Sequence, residues 1–291
     1  MNTYSWLIRR EFWENRAIWI VPCVIGVALT LAALFGKVDI VAWTSPEQSR
    51  AVGGTVLFAF GIAFFVVMTI YSSWYLLDCL YGERKDRSVL FWKSLPISDT
   101  ATVLSKLFTG LIAIPLVYFA AADICTLLVA FIISMRLRAT FAGALWQPDV
   151  WLQLQALWLY LIATTAVWYL PFAGWLLLVS AWAKRAVMLW SVLPLLASYL
   201  LERWFFGTHV IGRALGDRAF GYPAHAFNDL AANGGWATTP FDNGTMTTPK
   251  SVWLLLNPSG FFTSLDTWVG VIVGAILIAA AIQVRLRRAE I

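Results

Sequence analysis

Charge is scarce in this sequence. Asp, Glu, Lys and Arg supply 13% of its 291 residues, against 60% apolar ones, whereas a soluble domain carries roughly twice that share of charge. A soluble fold is excluded, and the chain reads as an integral membrane protein. Cysteine is scarce too. Cys23, Cys79 and Cys125 lie far apart, each in or at the edge of an apolar segment, so neither a disulfide framework nor a zinc spacing follows. The two histidines, His209 and His225, fall in one polar interval and are assigned no ligand or base role. The patterns G-x-x-x-x-G-K-[ST], H-E-x-x-H and G-x-S-x-G are missing, which excludes ATP hydrolysis by a P-loop in this chain. No catalytic residue, metal site or cofactor is expected within it.

What the chain has is a series of apolar runs of helical length, too long for the strands of an outer-membrane barrel. The fold class they predict is all-α, a polytopic membrane protein with about six transmembrane helices over 18–35, 53–77, 103–134, 150–182, 187–206 and 266–284, in one membrane domain covering 1–291. At 1.5 Å per residue the third run is about 48 Å long, so it must tilt or protrude. Most of the 17 tryptophans stand near the ends of these runs, as interfacial anchors do. Residues 1–17 predict an interfacial helix with Tyr4, Leu7, Ile8 and Phe12 on one side, although Glu11 intrudes on that side. The interval 207–265 is rich in turn-forming residues and ends in SVWLLLNPSGFF. That piece is too short to span and is broken at Asn257-Pro258, so it reads as a re-entrant or interfacial helix.

Thirteen basic residues fall on one proposed side and eight on the other, which places both termini in the cytoplasm. The net charge of +5 lies mostly beside the membrane, where orientation and attraction to anionic lipid account for it without nucleic acid. The lipid bilayer is the first partner.

Residues 78–100 form the longest charged interval between two spans, and the rest of the chain is arranged around them. Arg87 to Ser94 reads as a short helix ended by Leu95-Pro96, and Ser98 or Asp99 can cap the helix that follows. Leu90, Phe91 and Trp92 are an odd run to leave in water, and the mixed signs of Glu83, Arg84, Lys85, Asp86 and Arg87 suit pairing with a partner protein. Glu83 and Arg87 either pair with that partner or fasten the bridge to its own spans. Two further features stand out. Asp123 is the one acid well inside a span, either a proton or cation site or a structural acid facing another helix or a wet cavity. Gly270-x-x-x-Gly274 permits a close helix approach but is a weak signal.

The run ERKDRSVLFWKSLPISD, Glu83 to Asp99, resembles the coupling segment of ABC-2 type (type V) exporter permeases, with Glu83, Arg87, Ser88, Leu95, Pro96 and Ser98 on the recurrent positions. The interfacial first helix, about six spans and long outer interval resemble that family in layout. The resemblance implies a permease subunit in the bacterial inner (plasma) membrane, paired with a second permease chain, identical or related. It also implies two ABC ATPase subunits carrying ATP and Mg, and a cargo moving along the seam between protomers. Glu83, Arg84, Asp86, Arg87, Ser88, Leu90, Phe91 and Trp92 would then couple to the ATPase. The second and fifth spans would face the partner, with Phe58, Phe65, Met68, Leu195, Ser198 and Tyr199 at the seam. An apolar seam suits a lipid-like or amphipathic cargo such as a drug, peptide or glycolipid. The alternatives are an ABC-type complex for sensing or force transmission, and a membrane-embedded enzyme or proton-coupled carrier using Asp123.

Overall fold

The computed structural model of the protein describes residues 3–36, 46–86, 97–136, 143, 145–228, 253 and 256–288. The protein is an all-α, polytopic membrane protein. Helix α1 (Thr3–Glu14) turns at Asn15 into α2 (Ala17–Phe35). Two long helices follow, α3 (Pro46–Lys85) and α4 (Asp99–Arg136). Next come α5 (Pro148–Trp168), α6 (Leu170–Trp182) and α7 (Val187–Leu201), the last ending in a π-turn at Glu202–Phe206. Two shorter helices, α8 (Val210–Phe220) and α9 (Tyr222–Ala226), precede α10 (Pro258–Thr263) and α11 (Leu265–Arg288). Among the described residues no strand forms, and Phe227 and Leu256 make an isolated antiparallel bridge.

Among the described residues, five helices are long and apolar enough to cross a membrane: α2, the Leu57–Lys85 part of α3, α4, α5 and α11. The expected fourth span, 150–182, is instead two helices broken at Tyr169. Pro171 explains the break, because it has no N–H to give the Val167 carbonyl and its ring crowds that turn. The bridge is shorter than the sequence indicates, since α3 runs on through Asp78 to Lys85 and α4 starts at Asp99 rather than 103. Ser98 is the N-cap of α4, its Oγ accepting from the Ala101 amide at 3.1 Å, as its residue type favours. Asn257-Pro258 starts a helix rather than interrupting one. The Asn257 side chain accepts from Gly260 N at 2.9 Å, and Pro258 takes the first helical position, where its missing N–H costs nothing.

Helix α4 crosses the bundle with a π-turn at Thr109–Ala113, just ahead of Pro115. The proline leaves the Leu111 carbonyl without its usual donor, and widening the preceding turn absorbs the mismatch. Gly110 in this turn lets α4 approach α3, since a Cβ there would stand 2.6 Å from Leu76. A second close approach joins α6 to α11. A Cβ on Gly174 would lie 2.9 Å from the Gly274 carbonyl oxygen, and one on Gly274 would lie 2.9 Å from the Leu170 carbonyl carbon. Gly274 is thus a helix-contact glycine, whereas Gly270 makes room for the guanidinium of Arg218. Between these crossings lies a core of Ile18, Leu57, Phe64, Tyr118, Val129 and Leu177.

Candidate functional site

Polar contacts gather α1, the last turns of α3, the start of α4, the turn after α6 and the last turns of α11 at one end of the bundle. The first member is Glu11. Its neighbours on the helical wheel are apolar, so it points inward with them, and it is 2% exposed. An isolated carboxylate there would cost several kcal/mol, on the order of the penalty for any buried ion. Three donors relieve this: Tyr75 Oη donates to Glu11 Oε2 at 2.7 Å, and Lys106 Nζ and Arg10 Nη2 to Glu11 Oε1 at 2.8 and 3.3 Å.

Lys106 is 1% exposed and also stands 3.1 Å from Glu83 Oε1. The other Glu83 oxygen accepts from Arg285 Nη1 at 2.9 Å, and Arg285 Nε donates to Asp99 Oδ1 at 2.8 Å. Arg10 completes the set. Its Nη2 reaches Glu83 and Glu11, and its Nε lies 3.1 Å from Glu14. Burial opposes the Arg10 charge, but Glu11, Glu83 and Glu14 more than offset it and raise its pKa. Glu14 sits at the rim, where burial raises its pKa against the pull of Arg10.

Three cations and four carboxylates from four helices therefore form one network. Asp99 in the first turn of α4 and Arg285 near the end of α11 suit their helix dipoles, but Glu83 near the end of α3 does not. Glu83 is accordingly the residue with the most cations around it. The geometry has a mechanical meaning. Glu83 is where the chain leaves α3 for the bridge and Asp99 is where it enters α4, so one buried guanidinium holds both feet of the bridge. Next to it, Arg84 donates to the carbonyls of Ser180 and Ala183, the latter at 3.0 Å. Ser180 Oγ in turn accepts from the Leu80 and Tyr81 amides, each at 3.1 Å.

Of the residues singled out in the bridge, Glu83 is buried in this network, Arg84 ties α3 to α6, and Asp86 is exposed at the end of the described stretch. Arg87, Ser88, Leu90, Phe91, Trp92, Leu95 and Pro96 lie outside the described residues. Met68 is 2% exposed and packs in the core of its own chain. Phe58 and Phe65 are half-buried, Phe65 meeting Trp158 edge-on at 6.3 Å. On α7, Ser198 Oγ bonds the Leu195 carbonyl at 2.8 Å. Tyr199 lies against α8, where a Cβ on Gly212 would come within 2.6 Å of its ring. Asp123 is half-buried and accepts from Gln155 Nε2 of α5 at 2.5 Å.

The opposite end is closed by aromatic packing. Trp168 is buried among Tyr222, Phe261 and the His225 ring, and the Arg218 guanidinium lies 4.1 Å from its centroid. Trp168 Nε1 donates to the Arg218 carbonyl at 2.8 Å, and Tyr160 Oη to the Ala226 carbonyl at 2.7 Å. Burial lowers the Arg218 pKa, against the opposing pull of Asp266. Among the described residues no group of three His, Cys, Asp or Glu side chains is placed to hold a metal. No family model, curated protein or solved structure matches the chain.

Proposed function

We propose that this chain is the permease subunit of an ATP-driven ABC exporter. It spans the bacterial plasma membrane with both termini inside and works as one of a pair. Its cargo is lipid-like or amphipathic, and separate ATPase subunits holding ATP and Mg drive it. The observation that supports this reading is the shared clamp on the bridge: Arg285 bonds Glu83 at one foot and Asp99 at the other. A solvated loop needs no such anchorage. A lever does, because a displacement of its middle reaches the spans only through stiff attachments, and here α1, α3, α4 and α11 all meet at the attachment. Leu90 and Phe91 supply the apolar contact with the ATPase, and Glu83 serves the anchorage.

The test is co-purification. Tagged protein extracted in mild detergent should carry a nucleotide-binding subunit, and Leu90→Asp should release it by placing a charge in a desolvated contact while the spans stay folded. Absence of any ATPase that copurifies or stimulates activity would end this reading. The same clamp fits a complex that transmits force without moving cargo, and ATP-dependent transport by the reconstituted complex separates the two. A carrier or enzyme working through Asp123 has less support, because Gln155 already accounts for that carboxylate as a structural acid.

A further inference from the structure

Helix α7 leaves most of its apolar surface uncovered: Met188, Leu189, Val192, Leu193, Leu196 and Leu200 are all exposed. At its end the chain widens into the π-turn, reverses at Gly207 in the left-handed region with φ 62°, and starts α8. Glu202 holds this reversal. Its carboxylate accepts from Thr208 Oγ1 at 2.7 Å and from the Val210 and Ile211 amides at 2.6 and 2.8 Å, so the first turn of α8 already has its anion. Tyr199 then wedges against Gly212 and sets the separation of the two helices.

Between them lies an open groove of about 620 Å³. Val192, Leu195, Leu196 and Tyr199 form one wall, and Gly212 and Leu215 form the other. Its basic side chains are Arg213 on α8 and His209 just before that helix. Arg213 is exposed and makes no ion pair among the described residues, not even with Asp217 one turn further along α8. Ser191, a groove-lining residue on α7, spends its hydroxyl on the Met188 carbonyl at 2.8 Å. The site is thus a slot with an apolar wall about 12 Å long, from eight residues at 1.5 Å each, and with an exposed arginine outside any ion pair among the described residues on its α8 side. That combination suits a ligand with an acyl chain and an anionic head.

We propose that the α7–α8 groove binds an anionic membrane lipid, one acyl chain lying along α7 and the headgroup pairing with Arg213. The site does not depend on ATP coupling. It stands or falls on the chain alone in a bilayer.

The test uses the full chain in phosphatidylcholine vesicles. They contain either phosphatidylglycerol or further phosphatidylcholine with a photoactivatable diazirine midway along one acyl chain, and adducts are located by peptide mass spectrometry. The phosphatidylglycerol probe should label peptides from 187–201 and 210–220 well above the exposed surface of α2. Arg213→Gln should lower that labelling about five-fold, the factor one interfacial basic residue contributes toward anionic lipid, and Arg213→Lys should retain it. Leu196→Trp should fill the slot and remove labelling, whereas Arg213→Gln, at an exposed position, leaves the packing intact if the tryptophan variant misfolds. Equal labelling by the phosphatidylcholine probe, or labelling indifferent to Arg213→Gln, would reduce the groove to ordinary lipid-facing surface. Absence of adducts there, with a Leu196→Cys chain crosslinking to a second copy or to residues 229–252, would give the groove to protein and overturn the proposal.

Discussion

Arg285 Nη1 stands 2.9 Å from Glu83 Oε2, and both side chains are buried where α3 leaves the bundle. Breaking a buried pair by removing one partner leaves the other charge desolvated, which costs about 3–5 kcal/mol. Glu83→Gln should therefore lower the melting temperature of the detergent-solubilised protein sharply, because Arg10, Lys106 and Arg285 lose the anion they share. Arg285→Met should do the same by removing the cation that Glu83 and Asp99 share. The double variant should cost less than the sum of the singles, since the Glu83–Arg285 contact is then counted once rather than twice. Additive losses in a thermal unfolding series would show that the two residues are not coupled.

This network was only half legible in the sequence. The bridge and its flanking spans stand out because composition changes abruptly there, and residue type narrows the cap of α4 to Ser98 or Asp99 without choosing between them. Glu11 stood out for the wrong reason. It looked like a flaw in an amphipathic helix, yet the inward-facing position that makes it look misplaced is what delivers it to Lys106. Lys106 sits at the start of an apolar run and Arg285 at the end of another, so in sequence both only add to the basic residues of one membrane side. A basic residue at a helix end has that appearance whether it faces headgroups or a buried carboxylate, and only the three-dimensional meeting of α1, α3, α4 and α11 distinguishes them. The break at Tyr169 was available from Pro171. The continuous apolarity around it masked the signal.

The α6–α11 crossing offers a backbone test. A methyl at Gly274 meets the Leu170 carbonyl carbon at 2.9 Å and the Pro171 nitrogen at 3.0 Å, and backbone atoms have little room to yield. Gly274→Ala should destabilise by about 1–3 kcal/mol, the usual cost of overpacking. Gly216 on α8 is the control, with nothing within 4 Å of its built Cβ. Gly216→Ala should be neutral or stabilise by up to about 1 kcal/mol through helix propensity. Thermal melts of the two variants side by side would detect the contrast, and equal effects would refute the close crossing.

Asp123 separates the structural from the catalytic reading of an intramembrane acid. Asp123→Asn keeps an oxygen that accepts from Gln155, so its effect on stability should stay within about 1.5 kcal/mol, the scale of one hydrogen bond. Function should survive. Gln155→Leu should be the worse of the two, because it leaves the carboxylate without its donor. Loss of activity in Asp123→Asn with folding and ATPase binding intact would favour proton coupling instead.

For the seam between protomers, which belongs to the exporter proposal, Met68 gives way to other residues of α3. Met68 is enclosed by its own chain, but Ile62, Val66, Ile70 and Trp74 recur every four residues along α3 and are all exposed, forming one outward stripe. For a homodimer, two differently tagged chains, both carrying Ile70→Cys in a background without native cysteines, should crosslink in membranes, with a yield that changes when ATP is trapped in the partner ATPase. Met68→Cys in place of Ile70→Cys should give none, because a buried thiol cannot reach a second chain. Efficient crosslinking through Met68, or monomers throughout beside a bound ATPase, would remove α3 from the seam.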